Sequence, residues 1–411
     1  MRVVTIAPAV RPYLNLYPLP NGRDFGDGTG EYLQQAVRRT REEYVGGKLD
    51  LLLSPSLRLA GRYAYDYATQ RQPQPVAIWS FSTVTRNQFA SVQMQHLLSA
   101  RTVHTLRAAF SRVPASELAE LLAGVPASMS FMPGQPLGVI AVTGLADSGP
   151  SAVRQRPRRH ILNDYQLNDD LVQVRGRHTL KVGAGLDRVQ FNQVSDFSAA
   201  GYYQFGSLAD FLGGVTRTAE VMVPGSDSQR AWRQTRGFAY FQHELKVRPD
   251  LGVSYGIRYE SAGTPDEIHG KVASLRNYVS DAAVTVGGPV FRNPSRKNFA
   301  PRASVAFDPA GDGRTVVRAG AGIFHDLLGI RDLIVAGGRM PPFFNRASLT
   351  RPAFPDLLSA VRGATPLNAL DAVDYNLVQP PTSRRFSSLW SGNWREGFSW
   401  AWAMPARAGS T

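Results

Sequence analysis

Residues 236–260 read RGFAYFQHELKVRPDLGVSYGIRYE, and this stretch decides the fold class. Its second half alternates strictly between apolar residues and small or polar ones. The apolar set is Leu251, Val253, Tyr255, Ile257 and Tyr259. Because the side chains of a β-strand point alternately to its two faces, a period of two predicts a strand with one apolar face. A helix built from the same residues would carry apolar groups around its whole circumference.

The same alternation recurs along the chain in pairs of stretches joined by short turns. The predicted pairs are 45–53 with 56–67, 85–98 with 101–112, 161–174 with 177–191, 232–247 with 250–260, and 299–308 with 313–324. Between the pairs lie the long segments 68–84, 113–160, 192–231, 261–298 and 325–374. A soluble sandwich has short connections at both ends more often than this. The sequence therefore predicts an all-β, antiparallel meander of about 10–12 strands, in the manner of an outer-membrane barrel.

Tyrosines lie toward the ends of these strands and suit the aromatic girdles at a lipid–water boundary. They are Tyr63, Tyr65, Tyr67, Tyr255 and Tyr259. The alternative is that they are ordinary strand-forming residues of a soluble sheet. Within the segment 192–231, residues 207–212 are predicted to form a helical turn without chemistry of its own.

The composition limits the class of protein. The chain has 411 residues, no cysteine and 43% hydrophobic residues. No stretch reaches the roughly 18 apolar residues of a membrane-spanning helix, which excludes an α-helical membrane protein but not a barrel. Without cysteine, disulfides, cysteine-ligated metals and thiol nucleophiles are excluded as well.

The formal net charge of +14 is a balance that often indicates nucleic acid or anionic lipid. The 46 cationic side chains comprise 41 arginines and 5 lysines, and most are scattered. One tight cluster consists of Arg154, Arg156, Arg158, Arg159 and His160. Since no aromatic residue interleaves this cluster for base stacking, we predict no nucleic-acid partner. The cluster suits a solvated loop or a contact with lipid phosphates.

Motifs with catalytic or metal-binding potential lack their structural context. Residues 252–256 match the G-x-S-x-G of α/β-hydrolases, but the alternation runs straight through Ser254 without the required turn and helix. Asp24, Asp27 and Glu31 lack calcium-loop spacing and are predicted to be turn acids. The seven histidines show no paired spacing. The sequence predicts no catalytic, cofactor-binding or metal-binding residues, no cofactor and no enzyme.

Several stretches resemble one superfamily, in the same order along the chain. Residues 236–260 resemble a barrel hairpin of TonB-dependent receptors. Residues 286–326, VGGPVFRNPSRKNFAPRASVAFDPAGDGRTVVRAGAGIFHD, resemble its Oar-like branch, in proteins that carry a carboxypeptidase-regulatory-like domain before the plug. LYPLPNG (16–22), VRGRHTLKVGAGLDRVQFN (174–192) and FGSLADFLGG (205–214) fit the same branch.

The resemblance implies an antiparallel barrel of about 22 strands with a plug in its lumen. It implies uptake of large nutrients, such as metal chelates or glycans, at the outer membrane of a Gram-negative-type bacterium. The implied partners are outer-membrane lipid and, in the full-length protein, the inner-membrane TonB complex. Residues 1–20 lack the features of a signal peptide, and no plug or TonB box is recognised. We therefore expect a fragment of the barrel, an open curved sheet that is not transport-competent alone.

We expect residues 1–380 to form this partial barrel domain, with the long segments as external loops, and residues 381–411 to form a divergent tail. Four tryptophans crowd the tail at positions 390, 394, 400 and 402. The family continues there with a strand and a segment like VGYAGSRG, and residues 401–409 can be encoded by the DNA of that segment in a shifted frame. A frameshift is one interpretation, and a natural divergent C-terminus is the other.

The alternative function is a soluble all-β binding module built from the same hairpins. Lipid-facing strands should lack charge on one face. The stretches 57–67, 180–186 and 251–259 meet this criterion. The stretch 238–246 meets it less well, because His243 falls on its apolar face.

Overall fold

The computed structural model describes most of the chain. The described residues are 4–74, 76, 78–121, 124–148, 157–292, 296–327, 329–330, 337–362, 364, 371–377, 382–394 and 398–408. Their strands are β1 (Arg39–Ser54), β2 (Leu57–Pro73), β3 (Trp79–Ser99), β4 (Thr102–Leu121), β5 (Val139–Val142), β6 (Arg158–Arg175), β7 (His178–Ser195), β8 (Tyr202–Phe205), β9 (Thr218–Met222), β10 (Arg230–Arg248), β11 (Leu251–Ala262), β12 (Asp266–Glu267), β13 (Ala273–Ser274), β14 (Thr285–Val286), β15 (Phe299–Phe307), β16 (Thr315–His325), β17 (Arg346–Thr350), β18 (Thr382–Trp394) and β19 (Phe398–Ala408).

Helices are few and short in the described part of the chain. They are α1 (Arg11–Leu14), α2 (Leu208–Leu212), α3 (Leu357–Arg362) and a 3₁₀ turn at Ala127–Met129. The predicted helical turn at 207–212 is confirmed, because α2 begins after Ser207, whose hydroxyl accepts a hydrogen bond from the Asp210 amide at 3.1 Å. Such a side-chain bond satisfies one of the free amides at a helix N-terminus.

No helix among the described residues is both long enough and apolar enough to cross a membrane.

One large sheet contains most of the strand residues. Its strands follow the order β1-β2-β3-β4-β6-β7-β10-β11-β15-β16-β18-β19, and β12 adds to β10 beside this path. Each neighbouring pair on the path is antiparallel, so the predicted meander of about 10–12 strands is confirmed. Within the described residues β1 and β19 lie at opposite ends of the path and do not pair with each other, so the sheet is open there.

The two ends of this sheet are built differently. At one end, two-residue turns join β1 to β2, β3 to β4, β6 to β7 and β10 to β11. At the other end, β2 and β3 are joined by the short connection 74–78, and the remaining connections are long. We call these the turn end and the loop end.

The segment 68–84 corrects the sequence analysis, which placed a long loop there. β2 continues to Pro73 and β3 begins at Trp79, with cross-strand pairs such as Arg71 opposite Ser82. Near the loop end, polar residues occupy both faces, so the period-two signal disappears. Backbone pairing does not depend on that signal and continues.

The tail at 381–411, which was expected to be divergent, contains two strands. β18 pairs with β16, and β19 pairs with β18, so two further strands continue the meander. Aromatic residues favour strands. The crowding of tryptophans is therefore compatible with regular pairing and does not mark the end of the sheet.

The long connections at the loop end pack into a structure of their own, which we call the loop cap. It contains α1, α2, α3, the 3₁₀ turn and a four-stranded sheet of order β17-β9-β8-β5. Its buried core includes Tyr13, Phe131, Tyr203, Phe205 and Phe211, together with Trp79 from the tip of β3. Aromatic rings of this size dominate the burial energy of small cores.

Two glycines of β7 lie beneath aromatic rings of β10. A Cβ atom at Gly183 would lie 2.5 Å from the Tyr240 ring, and one at Gly185 would lie 2.6 Å from the Phe238 ring. The same Cβ atoms would lie 2.3 Å from the Asp170 carboxylate oxygen and 2.3 Å from the Asn168 amide oxygen of β6, respectively. These positions therefore admit no side chain unless the ring and the neighbouring β6 side chain both move. At these two positions glycine thus allows close packing between neighbouring strands.

We predict that Gly183→Ala destabilises the sheet by about 1–3 kcal/mol, since overpacking displaces the Tyr240 ring. The measurement is the urea midpoint of the chain refolded in detergent micelles. Gly252→Ala on β11 is the matched control, because nothing lies within 4 Å of its added Cβ. Equal midpoints for the two variants would contradict the packing account.

Candidate functional site

The cross-strand register divides the large sheet into two faces of opposite character. Paired residues share a face, since partners in a ladder point the same way. We call one the apolar face: Leu167, Leu171, Val182, Leu186, Ala239, Phe241, Val253, Tyr255, Ile257 and Val305. The other is the polar face: Asn168, Asp170, Lys181, Arg236, Tyr240, Gln242, Glu244, Ser254, Arg258 and Arg302.

The apolar face is exposed along its length. Leu171, Val182, Phe241 and Ile257 form one continuous cross-strand row through β6, β7, β10 and β11. Phe241 is 40% exposed, and Leu186, two rows nearer the loop end, is 59% exposed. The row between them contains one charged residue, Asp169, whose carboxylate pairs with His104 on the neighbouring strand at 2.5 Å. A contiguous apolar surface of this extent on a soluble monomer would be unusual. The face therefore requires an apolar environment.

His243 is the departure noted in the sequence, and the structure explains it. Its Nε2 lies 2.9 Å from Nδ1 of His178, and its Nδ1 lies 2.8 Å from the Tyr255 hydroxyl. The two imidazole rings stack with centroids 5.1 Å apart. His243 is 9% exposed, so its polar atoms are both buried and satisfied. A polar residue is tolerated on this face because its partners lie on the same face.

The polar face carries a connected set of charges. Arg236 lies 3.3 Å from Asp187 and 3.6 Å from Asp164. Lys181 pairs with Glu244 at 2.6 Å, and the Tyr240 hydroxyl donates to Asp170 at 2.6 Å. The sequence analysis did not single out these residues. The available signal was the spacing along β7, where Lys181 and Asp187 alternate with Leu180, Val182 and Leu186.

The loop cap lies toward the polar side of the sheet. Trp79 and Leu121, which contact the cap core, have the parity of the polar face on β3 and β4. A second buried cluster joins Phe191 of β7 and Trp232 of β10 to Phe291 in the connection between β11 and β15. Both clusters gather the loops over the polar face and leave the apolar face uncovered.

One buried arginine, Arg339, and one half-buried arginine, Arg346, connect the cap to the end of β7 and the segment that follows it. Arg339 donates from Nη2 to the Ser195 hydroxyl at 2.9 Å, and its guanidinium lies 4.5 Å from the Phe197 ring centroid. Arg346 approaches the same ring at 5.2 Å and lies 3.7 Å from Glu220. Desolvation lowers the pKa of Arg339 to about 10, so the side chain stays charged at neutral pH. Its buried charge is held by an aromatic face and a hydroxyl.

The residues considered for catalysis or metal binding do not come together. Ser254 lies within the uninterrupted strand β11, opposite Glu244 and Ser304. Asp24 and Asp27 accept backbone amides two residues on, as expected of turn acids. Among the residues that the structure describes, no group of three potential metal-ligating side chains is present. Arg154 and Arg156 of the predicted basic cluster lie outside the described residues.

An antiparallel meander with one bare apolar face, one charged face and packed loops at a single end defines the wall of a membrane β-barrel. The sequence profile of the family described as the outer membrane beta barrel domain matches residues 2–403. The chain belongs to this family. It is an outer-membrane protein.

The chain is similar to solved outer-membrane proteins. The outer membrane transporter YddB from Escherichia coli is 7% identical with a TM-score of 0.47, over 87% of this chain and 39% of its own. The ferripyoverdine receptor of Pseudomonas aeruginosa is 12% identical with a TM-score of 0.46, over 91% of this chain and 50% of its own. The ferric-catecholate import receptor Fiu of Escherichia coli is 11% identical with a TM-score of 0.45, over 95% of this chain and 60% of its own. The chain thus spans 39–60% of their lengths. A search of curated protein sequences finds no match.

Because the two faces differ, an arginine introduced at two adjacent positions should have different effects on membrane insertion. Phe241→Arg places a cation on the apolar face and should destabilise membrane insertion by about 2–4 kcal/mol near mid-bilayer. Gln242→Arg, the matched control, places it on the polar face next to Glu244 and should have little effect. The measurement is the fraction of chain inserted into vesicles during refolding. Equal insertion of both variants would favour the soluble module.

The His243–Tyr255 contact predicts coupling between the two side chains. Tyr255→Phe should destabilise the chain by about 1–3 kcal/mol, because it leaves a buried imidazole nitrogen without its partner. His243→Leu suits the surrounding apolar face, and adding it to Tyr255→Phe should recover part of that loss. Urea unfolding in micelles measures the double-mutant cycle. Additive effects within about 0.3 kcal/mol would exclude the coupling.

Proposed function

We propose that this chain is part of the wall and loop cap of a TonB-dependent transporter of the Oar-like branch. In the full-length protein it takes part in uptake of large nutrients, metal chelates or glycans. The observation that carries the proposal is the two-faced meander, whose charged polar face lies beneath the gathered loops. A lumen lined by paired charges, with loops over one end, suits passage of a polar cargo.

The ordered motifs support the branch. The stretches 16–22, 174–192, 205–214, 236–260 and 286–326 follow one another as they do in Oar-like proteins. Three of these stretches contribute strands of the large sheet, and 205–214 contains α2 of the loop cap. The substrate contacts of such a transporter would come from the polar face, from the cap and from a plug.

The described strands suit part of a larger barrel. Barrel diameter grows with strand number, and transporters of this type have about 22 strands. Backbone groups on an open edge have no partner in hydrocarbon, at a cost of several kcal/mol each. The wall is therefore proposed to work only when further strands join β1 and β19. Energy coupling would need the plug and the TonB complex.

The runner-up function is a soluble all-β binding module. The packed core of the loop cap is the observation that favours it, because this part needs no lipid to fold. The bare apolar face opposes it. A monodisperse monomer in detergent-free buffer would decide for the module.

We predict no uptake by the 411-residue chain reconstituted alone in vesicles, tested with radiolabelled ferric chelates and fluorescent oligosaccharides. The second arm uses the product of the complete genomic frame, with the flanking DNA sequenced first. This arm should take up one of the two probes when energised through TonB.

Uptake by the chain alone, or a heat-modifiable barrel formed by it, would show that the fragment interpretation is wrong. A flanking sequence that encodes neither plug nor further strands would contradict the transporter proposal itself.

A further inference from the structure

The apolar face changes character abruptly toward the loop end. One cross-strand row consists of Ala108, Leu167, Leu186 and Gly237. The next row is Phe110, Tyr165, Arg188 and Thr235, and the one after it is Arg112, Asn163, Gln190 and Arg233. Within four residues of each strand, the same face passes from an apolar row, through an aromatic pair, to arginine.

These three arginines have neutral hydrogen-bond partners. Arg112 donates to the Asn163 amide oxygen at 2.9 Å, and Arg188 donates to the Thr235 hydroxyl at 2.7 Å. Arg233 donates to the Asn192 amide oxygen at 2.9 Å. Within the described residues, the hydrogen bonds of these three side chains go to neutral oxygens, and none of the three forms an ion pair within 4 Å. Their positive charges are therefore oriented but not neutralised by an ion pair.

Nearby groups leave the patch positive. Arg188 and Arg233 repel each other, while the Glu267 carboxylate attracts Arg233 from a distance. Asp266, the exposed ladder partner of Arg233 on β12, places one carboxylate on the same face beside the three arginines. Glu267 is itself buried, and its oxygens accept the backbone amides of Ala231 and Lys271. Arg159, exposed on the same face two rows further on, adds another cation. We call Arg112, Arg188 and Arg233 together the arginine row. Arg112 and Arg233 share one cross-strand row, and Arg188 lies in the adjacent row nearer the turn end.

We propose that the arginine row binds the phosphate groups of an outer-leaflet glycolipid, the phosphorylated lipid A type, whose acyl chains lie along the apolar face. Guanidinium groups bind phosphate oxygens through paired hydrogen bonds, which a lysine cannot match. The aromatic pair Phe110–Tyr165, with ring centroids 4.9 Å apart, lies where the headgroup would meet the acyl chains.

The position of the row favours a lipid over a free anion. The charges border directly on exposed leucines, so a ligand with both phosphate and hydrocarbon contacts more of the surface than phosphate alone. The loop end faces the outer leaflet if the loops are external, as in the proposed transporter. The inference goes beyond that function, because it concerns the outer wall and not uptake.

The experiment compares the chain in detergent micelles with the triple variant Arg112→Gln, Arg188→Gln, Arg233→Gln. The titrants are diphosphorylated lipid A and the same lipid with its phosphates removed, with binding followed by fluorescence. We expect the wild type to bind the phosphorylated lipid about 100-fold more tightly than the triple variant at low salt, since each arginine near an anionic lipid surface contributes about fivefold. The difference should shrink as salt is raised.

The matched control is Arg101→Gln, Arg175→Gln, Arg177→Gln, which removes the same charge from the turn end. This control should bind the phosphorylated lipid as the wild type does. The urea midpoint of each variant verifies that it is folded. If the triple variant is unfolded, single replacements of each of the three arginines by lysine are compared instead. Each single replacement is expected to weaken binding of the phosphorylated lipid. The proposal is overturned by equal binding of the dephosphorylated lipid, by equal binding of phosphatidylglycerol, or by an equal loss in the turn-end control. None of these outcomes depends on transport.

Discussion

Every residue of a membrane-crossing strand except proline carries a backbone N–H and C=O that find no water in hydrocarbon. The large sheet satisfies these groups through long, nearly unbroken antiparallel ladders, with register irregularities confined to positions beside tight turns such as Leu52 to Ser54. Because the ladders pair the backbone groups, the side chains of the two faces can differ in polarity. The apolar row through Phe241 and the polar rows through Tyr240 and through Gln242 follow from that backbone constraint together with the pleat.

The same constraint explains which parts of the fold could be predicted. A one-residue slip would move every apolar side chain to the wrong face, so alternation determines both strand and register wherever one face meets lipid. This is why β7, β10 and β11 were found within a few residues of their bounds. The signal weakens where both faces are polar, and the extensions of β2 and β3 at 68–73 and 79–84 were missed for that reason.

The loop cap could not have been predicted in this way. Its contacts join residues far apart in sequence: the Tyr13 hydroxyl donates to the Met129 carbonyl, and the Tyr203 hydroxyl donates to the Ala353 carbonyl. Burial raises the pKa of Tyr13 to about 12, so this donor stays protonated throughout the physiological range. No local period encodes such pairs. The charge of the chain was likewise discounted as scattered, although register brings Arg112, Arg188 and Arg233 onto one face.

The attachment of the cap bears on how solvent or a ligand could reach the polar face. Arg339 of the cap is buried against Ser195, which belongs to β7, and Phe197 lies between Arg339 and Arg346. Separating these elements would leave the desolvated guanidinium of Arg339 without its partners. This costs free energy unless water or a ligand anion replaces those partners. The cap core itself is aromatic and well packed, so partial opening within it is equally unfavourable. Access to the polar face is therefore easier along routes that leave this anchor intact, beside the cap and not through it.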